Sequence, residues 1–285
     1  GVLDHVTVRY GGGGTSISTN GNIAVRNVGA GQVRIENSQV ADEDRFNGAD
    51  YGVYVANSQV VVQNTLLSGN GQDWRDHALY VTSGSVVTVT GSTIQNNDSH
   101  GSLSISGGSH VVVSGSTLTG GNYGIWLSGE SNTLTVDGSS AVSNNTYPLY
   151  VAADGVNLAG MQIAEGALAG NSSQRVLVAG GTLPAAATLV AGAGLGLEGY
   201  ELENAVVVPA GGMLTVEAGV VVQGRVNVEL KVLGHLAANG TVTQPITFTS
   251  ATNTGVGQWS GLVFDGGTGV LDHVTVRYGG GGTSI

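Results

Sequence analysis

The chain has 285 residues, 49 of them Gly and only 4 Pro, with no Cys, 10% charged residues and a formal net charge of −11. Gly far above its usual share of roughly 7% beside so little Pro excludes a collagen-like helix, and 41% hydrophobic residues exclude a disordered chain. The missing Cys excludes disulfides and thiolate chemistry, the acidic balance with Lys231 as the one Lys excludes a basic nucleic-acid-binding face, and no apolar run reaches the ~18 residues of a membrane span.

The chain opens on GVLDHVTVRYGGGGTSI, residues 1–17, and the same seventeen residues return as 269–285, an offset of 268 residues. Between the copies runs a weaker repeat: apolar, apolar two later, a turn residue two later, apolar three later. It gives Val33, Ile35, Asn37, Val40, then Val60, Val62, Asn64, Leu67. Val87, Val89, Gly91, Ile94 and Val111, Val113, Gly115, Leu118 follow, then Leu134, Val136, Gly138, Ala141 and Val156, Leu158, Gly160, Ile163. The opening string fits from its third residue, as Leu3, His5, Val8. A further short strand accompanies each set: Ile23/Val25, Val53/Val55, Leu79/Val81, Leu103/Ile105, Ile125/Leu127, Leu149/Val151 and Val176/Val178.

Alternation of period two predicts strands with one buried face, and no stretch sustains a helical period. Such a short rung cannot bury its apolar face alone, so rungs stack. Stacking like on like, Val over Val and Asn over Asn at the turns, predicts a parallel coil and not an antiparallel sandwich. One interior column is expected through Val62, Val89, Val113, Val136 and Leu158.

From about residue 182 the Asn/Gly corners give way to PAGGMLTVEAGVVV at Pro209–Val222, PITFTS at Pro245–Ser250, and a block from Trp259 to Gly280 that ends LDHVTVRYGG. These strings resemble the opening rungs of bacterial right-handed parallel β-helix surface proteins of the pectin-lyase-like superfamily, of the tandem-repeat adhesin or fibre type. The resemblance implies an all-β, right-handed parallel β-helix and an extracellular, cell-surface setting. It leaves activity open, because the superfamily spans inert stalks and polysaccharide enzymes. The expected organisation is a single continuous segment, 1–285, of about 10 to 11 rungs spaced ~4.8 Å apart. It would cover one 268-residue repeat (1–181 with Asn/Gly corners, then 182–285 as opening rungs) plus the first seventeen residues of the next.

Charge is concentrated in three variable loops, 41–50, 68–78 and 95–102. There the candidate ligand or calcium patch is Asp42, Asp44, Asn47, Asp50, Asp73, Trp74, Arg75, Asp76 and His77. Calcium wants six to eight oxygens, although the order departs from an EF-hand. Asp44 and Asp76 would be a carboxylate pair for glycan hydrolysis, which needs two such groups ~5–10 Å apart, and Trp74 would stack on a sugar. The plainer alternative is a set of solvated loops paired by Arg45 and Arg75.

His5 and His273 stand at the corner position that Asn or Gly fills elsewhere. His110 and His235 lack spaced zinc partners, and the GGGG at 11–14 lacks a phosphate loop's Lys. Trp126 and Trp259 are expected to pack on the coil. No catalytic residue, metal or cofactor is expected. The expected role is a structural repeat unit of a surface fibre, stalk or adhesin, with neighbouring copies as partners. The alternative is a carbohydrate-active or glycan-binding module that meets surface glycans through the 42–100 loops.

Overall fold

The computed structural model describes residues 1–11, 20–42, 50–70, 76–97 and 101–282. Among these the elements are strands and short 3₁₀ turns, with no α-helix, and every strand pairing given below is parallel. About nine turns of a parallel β-solenoid result. The chain forms two compact units: residues 1–149 with 161–174, and residues 150–160 with 175–285.

In the first unit the turns up to residue 149 carry three strands each, and the segment 161–174 carries one, Gln162–Ile163. The turn after the opening string is Val33–Glu36, Gln39–Ala41 and Asp50–Ala56, and the next is Gln59–Gln63, Leu66–Ser68 and His77–Thr82. The apolar residue that closes each sequence repeat therefore sits on a short strand of its own, across a corner from the first.

Register is set by the alternation, since a slip of one residue would turn the apolar set to solvent. Ile35, Val62, Val89, Val113 and Val136 stack in one interior column, each almost wholly buried. Its next member is Ile163, not Leu158 as the spacing suggested. Leu158 lies in a 3₁₀ turn, Leu158–Gly160, of the second unit. It is also buried, so its apolar character imitates a strand position. The second column runs Val40, Leu67, Ile94, Leu118 and then Val142 in place of the expected Ala141. The corner before Val142 holds one extra residue. The Asp137 carboxylate gathers it in by accepting hydrogen bonds from Ser114 (2.6 Å), Ser139 (2.8 Å) and Ser140 (2.7 Å). The third sheet stacks Ile23, Val53, Leu79, Leu103 and Ile125, with Val25, Val55, Val81, Ile105 and Leu127 beside them.

The corners explain the Asn and Gly. Between first and second strands His5, Asn37, Asn64, Gly91 and Gly115 all have φ between 49° and 57°. That left-handed conformation costs most L-residues ~1–2 kcal/mol and is cheapest for Gly and Asn. His5 keeps the corner role expected of it, and His273 does the same with φ 50°.

A Ser or Thr follows each of the Asn and Gly corners, and its backbone N–H donates to the hydroxyl of the next turn. Ser38 donates to Thr65 (3.4 Å), Thr65 to Ser92 (3.1 Å), Ser92 to Ser116 (3.0 Å) and Ser116 to Ser140 (3.2 Å). A second ladder, of Asn side chains, closes the next corner. Asn70 N–H donates to Asn97 Oδ1 (2.9 Å), and Asn145 N–H to Asn171 Oδ1 (3.0 Å). Buried polar groups are tolerable only when satisfied in this way.

The second unit winds the same parallel strands. One of its turns is Val206–Val208, Met213–Val216 and Val221–Gly224, and the next is Glu229–Val232, His235–Asn239 and Ile246–Ser250. Its core holds larger side chains: Tyr200, Val222 and Phe248 stack in register. Trp259 is fully buried as expected, and its indole N–H donates to Arg277 O at 2.9 Å.

Candidate functional site

On the third sheet of the first unit, Tyr54, Tyr80, Ser104 and Trp126 alternate with the buried Val, Leu and Ile and form an outer row. Tyr51, His77, Gly101 and Tyr123 form a second row in register, out of step with that alternation across the unpaired positions 52, 78, 102 and 124. With Tyr147 this face carries six of the chain's Tyr and Trp residues, although aromatics are only 5% of the sequence.

Adjacent turns bring the rings into contact. Tyr51 stacks on Tyr80 with centroids 4.7 Å apart, and Tyr54 on Tyr80 at 5.8 Å. His77 lies parallel to Tyr51 and edge-on to Trp126. Tyr123 meets Trp126 at 5.8 Å and Tyr147 at 6.2 Å. Such offset and edge-to-face pairs contribute ~0.5–1.5 kcal/mol each beyond burial. The row breaks at Gly101, where a Cβ would come within 3.2 Å of His77 Nδ1. The Gly leaves room for the imidazole. Arg26 lies over the Tyr54 ring at 5.5 Å, and burial pushes the Tyr54 phenol above its usual value.

Of the loops named from sequence, only some residues are described. Asp42 occupies a corner with φ 49°, and its carboxylate takes a hydrogen bond from Arg9 Nε at 2.8 Å. It is thus tied to Arg9, an ion pair the sequence reading did not foresee, and that bond holds the Arg9 guanidinium above its usual value. Asp76 and His77 are buried at the start of the third strand and do not lie in an exposed loop. Asp44, Asn47, Asp73, Trp74 and Arg75 lie outside the described residues, as do Arg45, Asp98 and His100, and Asp50 is described only in its backbone. Among the described residues no three His, Asp or Glu side chains are grouped to hold a metal ion. The two isolated histidines hydrogen-bond to threonines one turn on, His110 to Thr133 (2.7 Å) and His235 to Thr268 (2.9 Å).

The aromatic face escaped the sequence reading, yet its signal was present. In YGVYV (51–55), ALYV (78–81) and YGIWL (123–127) an aromatic stands directly between two buried residues of a period-two strand. Its side chain must therefore point outward.

Comparison with known families agrees with this architecture. Residues 4–174 match the model of the right handed beta helix region. The chain belongs to the right-handed β-helix family. Residues 193–279 of this β-helix chain match the pectate-lyase like beta helix domain, which places it in the pectin-lyase-like superfamily. Neither a curated protein nor a solved structure matches the chain. The family contains enzymes and non-enzymes alike, so membership fixes the scaffold and not a reaction.

Proposed function

We propose that this β-helix chain is a structural repeat unit of a long extracellular surface fibre or stalk, without catalytic activity. The observation that carries the reading is the behaviour of the repeated string. Over residues 4–10 and 272–278 its two copies hold the same local conformation in two different units. His5 and His273 have φ 55° and 50°, and Tyr10 and Tyr278 have φ 59° and 61°. Asp4 contacts His5 at 2.7 Å, and Asp272 contacts His273 at 2.8 Å. Arg9 covers the Tyr10 ring at 4.8 Å, and Arg277 covers Tyr278 at 5.4 Å. A string that keeps its shape wherever it occurs suits a chain made of repeated units. Chains of one, two and four 268-residue units test this. Solution scattering should show the maximum dimension growing by a constant increment per unit. A compact collapse of the longer chains, or turnover of a polysaccharide, would overturn the reading.

A second reading rests on the aromatic face. Stacked Tyr and Trp rings one turn apart offer a platform to the apolar faces of sugar rings. Calorimetry against surface polysaccharides, using Tyr80→Ala and Trp126→Ala, tests it. Binding that survives both substitutions would remove the face from consideration.

A further inference from the structure

The first eleven residues of the repeated string are described in both copies, as 1–11 and 269–279, and each time a different edge is paired. In 1–17 the pairing is with the turn that follows: Leu3 with Ile35, and Val8 with Val40. In 269–285 it is with the turn that precedes: Leu271, the counterpart of Leu3, with Ala238, and Val276, the counterpart of Val8, with Phe248. All four partners are fully buried at 0% exposure. The same two side chains therefore face the interior in both settings, so the two pairings share one parity.

The backbone groups used are also different. In the first copy Gly1 O and Val6 O accept from the N–H groups of Arg34 and Gln39, and the N–H groups of His5 and Tyr10 donate to Glu36 O and Asp42 O. In the second copy Asp272 O, His273 O and Tyr278 O accept from the N–H groups of Gly240, Ile246 and Gln258, and Arg277 N–H donates to Phe248 O. Carried back by the 268-residue offset, the second set is Asp4 O, His5 O, Tyr10 O and Arg9 N–H. None of these belongs to the first set. A single string has the groups to make both sets of bonds at once, as an inner strand of a parallel sheet does.

We propose that, between tandem units, this string is one shared turn. One edge is bonded to the strands His235–Asn239 and Ile246–Ser250 of the preceding unit, and the other to Val33–Glu36 and Gln39–Ala41 of the following unit. The interior columns then run Ala238, Leu, Ile35 and Phe248, Val, Val40 across the junction without a cap. Leu271 and Val276, now 44% and 47% exposed, are covered by the next unit's Ile35 and Val40. The inference rests on the tandem-fibre reading and adds that the joint is rigid.

The test is a two-unit chain, residues 1–268 joined directly to 1–285, followed by amide hydrogen exchange. In the 285-residue chain the Tyr10 amide should exchange slowly and the Arg9 amide fast, whereas the Arg277 amide should be slow and the Tyr278 amide fast. In the inner string of the two-unit chain both adjacent amides should be slow. A second measurement uses paired cysteines, which are the only thiols present because the chain has no Cys. Thr247→Cys of the first unit with Thr7→Cys of the second tests one edge. Thr7→Cys with Gln39→Cys of the second unit tests the other. Thr247 faces Thr275, the counterpart of Thr7, and Thr7 faces Gln39 in register. Both pairs should oxidise within one chain. If only one amide of the inner string is slow and only one pair cross-links, the shared turn is overturned. The fibre reading would still stand as a jointed chain if solution scattering showed the longer chains extended and not collapsed, with each added unit lengthening them by less than the first.

Discussion

The two units build the same parallel coil with different corners. In the first unit, a corner's buried polar groups are satisfied by the next turn, through the Ser/Thr ladder from Ser38 to Ser140 and the Asn pairs at Asn70–Asn97 and Asn145–Asn171. In the second unit the corners carry bonds within the turn, and it is their backbone that reaches a neighbouring turn, as in Gly219 N–H to Gln244 O and His235 N–H to Gly212 O. Gly212 N–H bonds to Pro209 O at 2.9 Å, Val228 N–H to Arg225 O at 3.0 Å, and Thr241 Oγ1 accepts from Gln244 N–H at 3.0 Å. Strand pairing and apolar columns are common to both, so they do not depend on how the corner is made. What the corner decides is how far damage travels. A ladder side chain removed from the first unit strands groups on two turns, whereas removing the Thr241 hydroxyl from the second unit strands only groups of its own turn, Gln244 N–H and Thr243 Oγ1.

The largest difference should come from Asn70. It is wholly buried, donates from Nδ2 to Val40 O at 3.0 Å and accepts from Asn22 at 3.1 Å. Asn70→Ala leaves buried partners on neighbouring turns unpaired and should destabilise by about 3 kcal/mol. The second-unit counterpart, Thr241→Ala, removes one exposed turn bond and should cost about 0.5 kcal/mol. Denaturant unfolding measures both. Equal losses would erase the distinction between laddered and local corners.

Ser92→Ala probes the other ladder. Its hydroxyl receives Thr65 N–H and donates to Thr90 O at 3.0 Å. The loss should be about 1–2 kcal/mol, the cost of one buried donor left without an acceptor. Hydrogen exchange should show the Thr65 amide, one turn away, losing protection. A change confined to residue 92 and its chain neighbours would show that the ladder does not couple turns.

Much of this was legible in the sequence, for a physical reason. Period-two alternation and like-on-like stacking have to be written into every turn, so the Val and Ile columns could be followed from Ile35 to Val136. The first column was lost where a 3₁₀ turn placed Leu158 in an apolar position without a strand, and the second shifted by one, to Val142, where Asp137 absorbed an extra residue. The Ser/Thr ladder was visible as the hydroxyl residue after most left-handed corners (Asn37-Ser38, Asn64-Thr65, Gly91-Ser92), but its meaning depends on what lies one turn away. The candidate site was harder to read. Acidic residues marked the loops, whereas period two marks only Tyr54, Tyr80 and Trp126 of the aromatic face; Tyr51 and Tyr123 share the parity of the buried residues and join the face out of step with it. Asp42 was identified for its charge, but its partner Arg9 is 33 residues distant and meets it only through the pairing of strands Thr7–Arg9 and Gln39–Ala41.

A smaller effect separates the residues that serve at a first-unit corner. Gly91 has φ 57°, where Asn64 and Asn37 serve on the preceding turns with φ 49°. Gly91→Ala should cost about 1 kcal/mol for holding a Cβ in the left-handed region, whereas Gly91→Asn should cost less. A Cβ there would lie 2.6 Å from Asn64 Oδ1, the end of a side chain that can swing aside. If Asn proved as costly as Ala, conformation would not be what selects residues at this corner.

The smallest effect is expected at Asp137, where the first unit departs from its own pattern. This carboxylate is half-buried at the surface, where solvent still screens its interactions, and it accepts from three serine hydroxyls and from the backbone N–H of Ser139 and Gly115. Those bonds, that from Ser114 foremost, hold its pKa well below the ordinary value of 3.8. Hydrogen bonds to the charged form favour that form in the folded state. A depressed folded pKa means that the unfolded chain binds the proton more readily. The contribution to stability is therefore complete above 3.8 and is lost as the pH falls below that value toward the folded pKa. Thermal unfolding of the parent chain and of Asp137→Ala, compared from about pH 7 down to about pH 2, should show a small advantage for the parent that shrinks through the acid range. Because Asp137 closes its corner with the Ser114 hydroxyl of the preceding turn as well as with Ser139 and Ser140 of its own, the substitution should also weaken protection of the Gly115 amide. A parent advantage that stayed constant across the whole pH range would mean that the extra residue is held by its backbone turn, Ser140 N–H to Asp137 O at 3.1 Å, and that this corner behaves like those of the second unit.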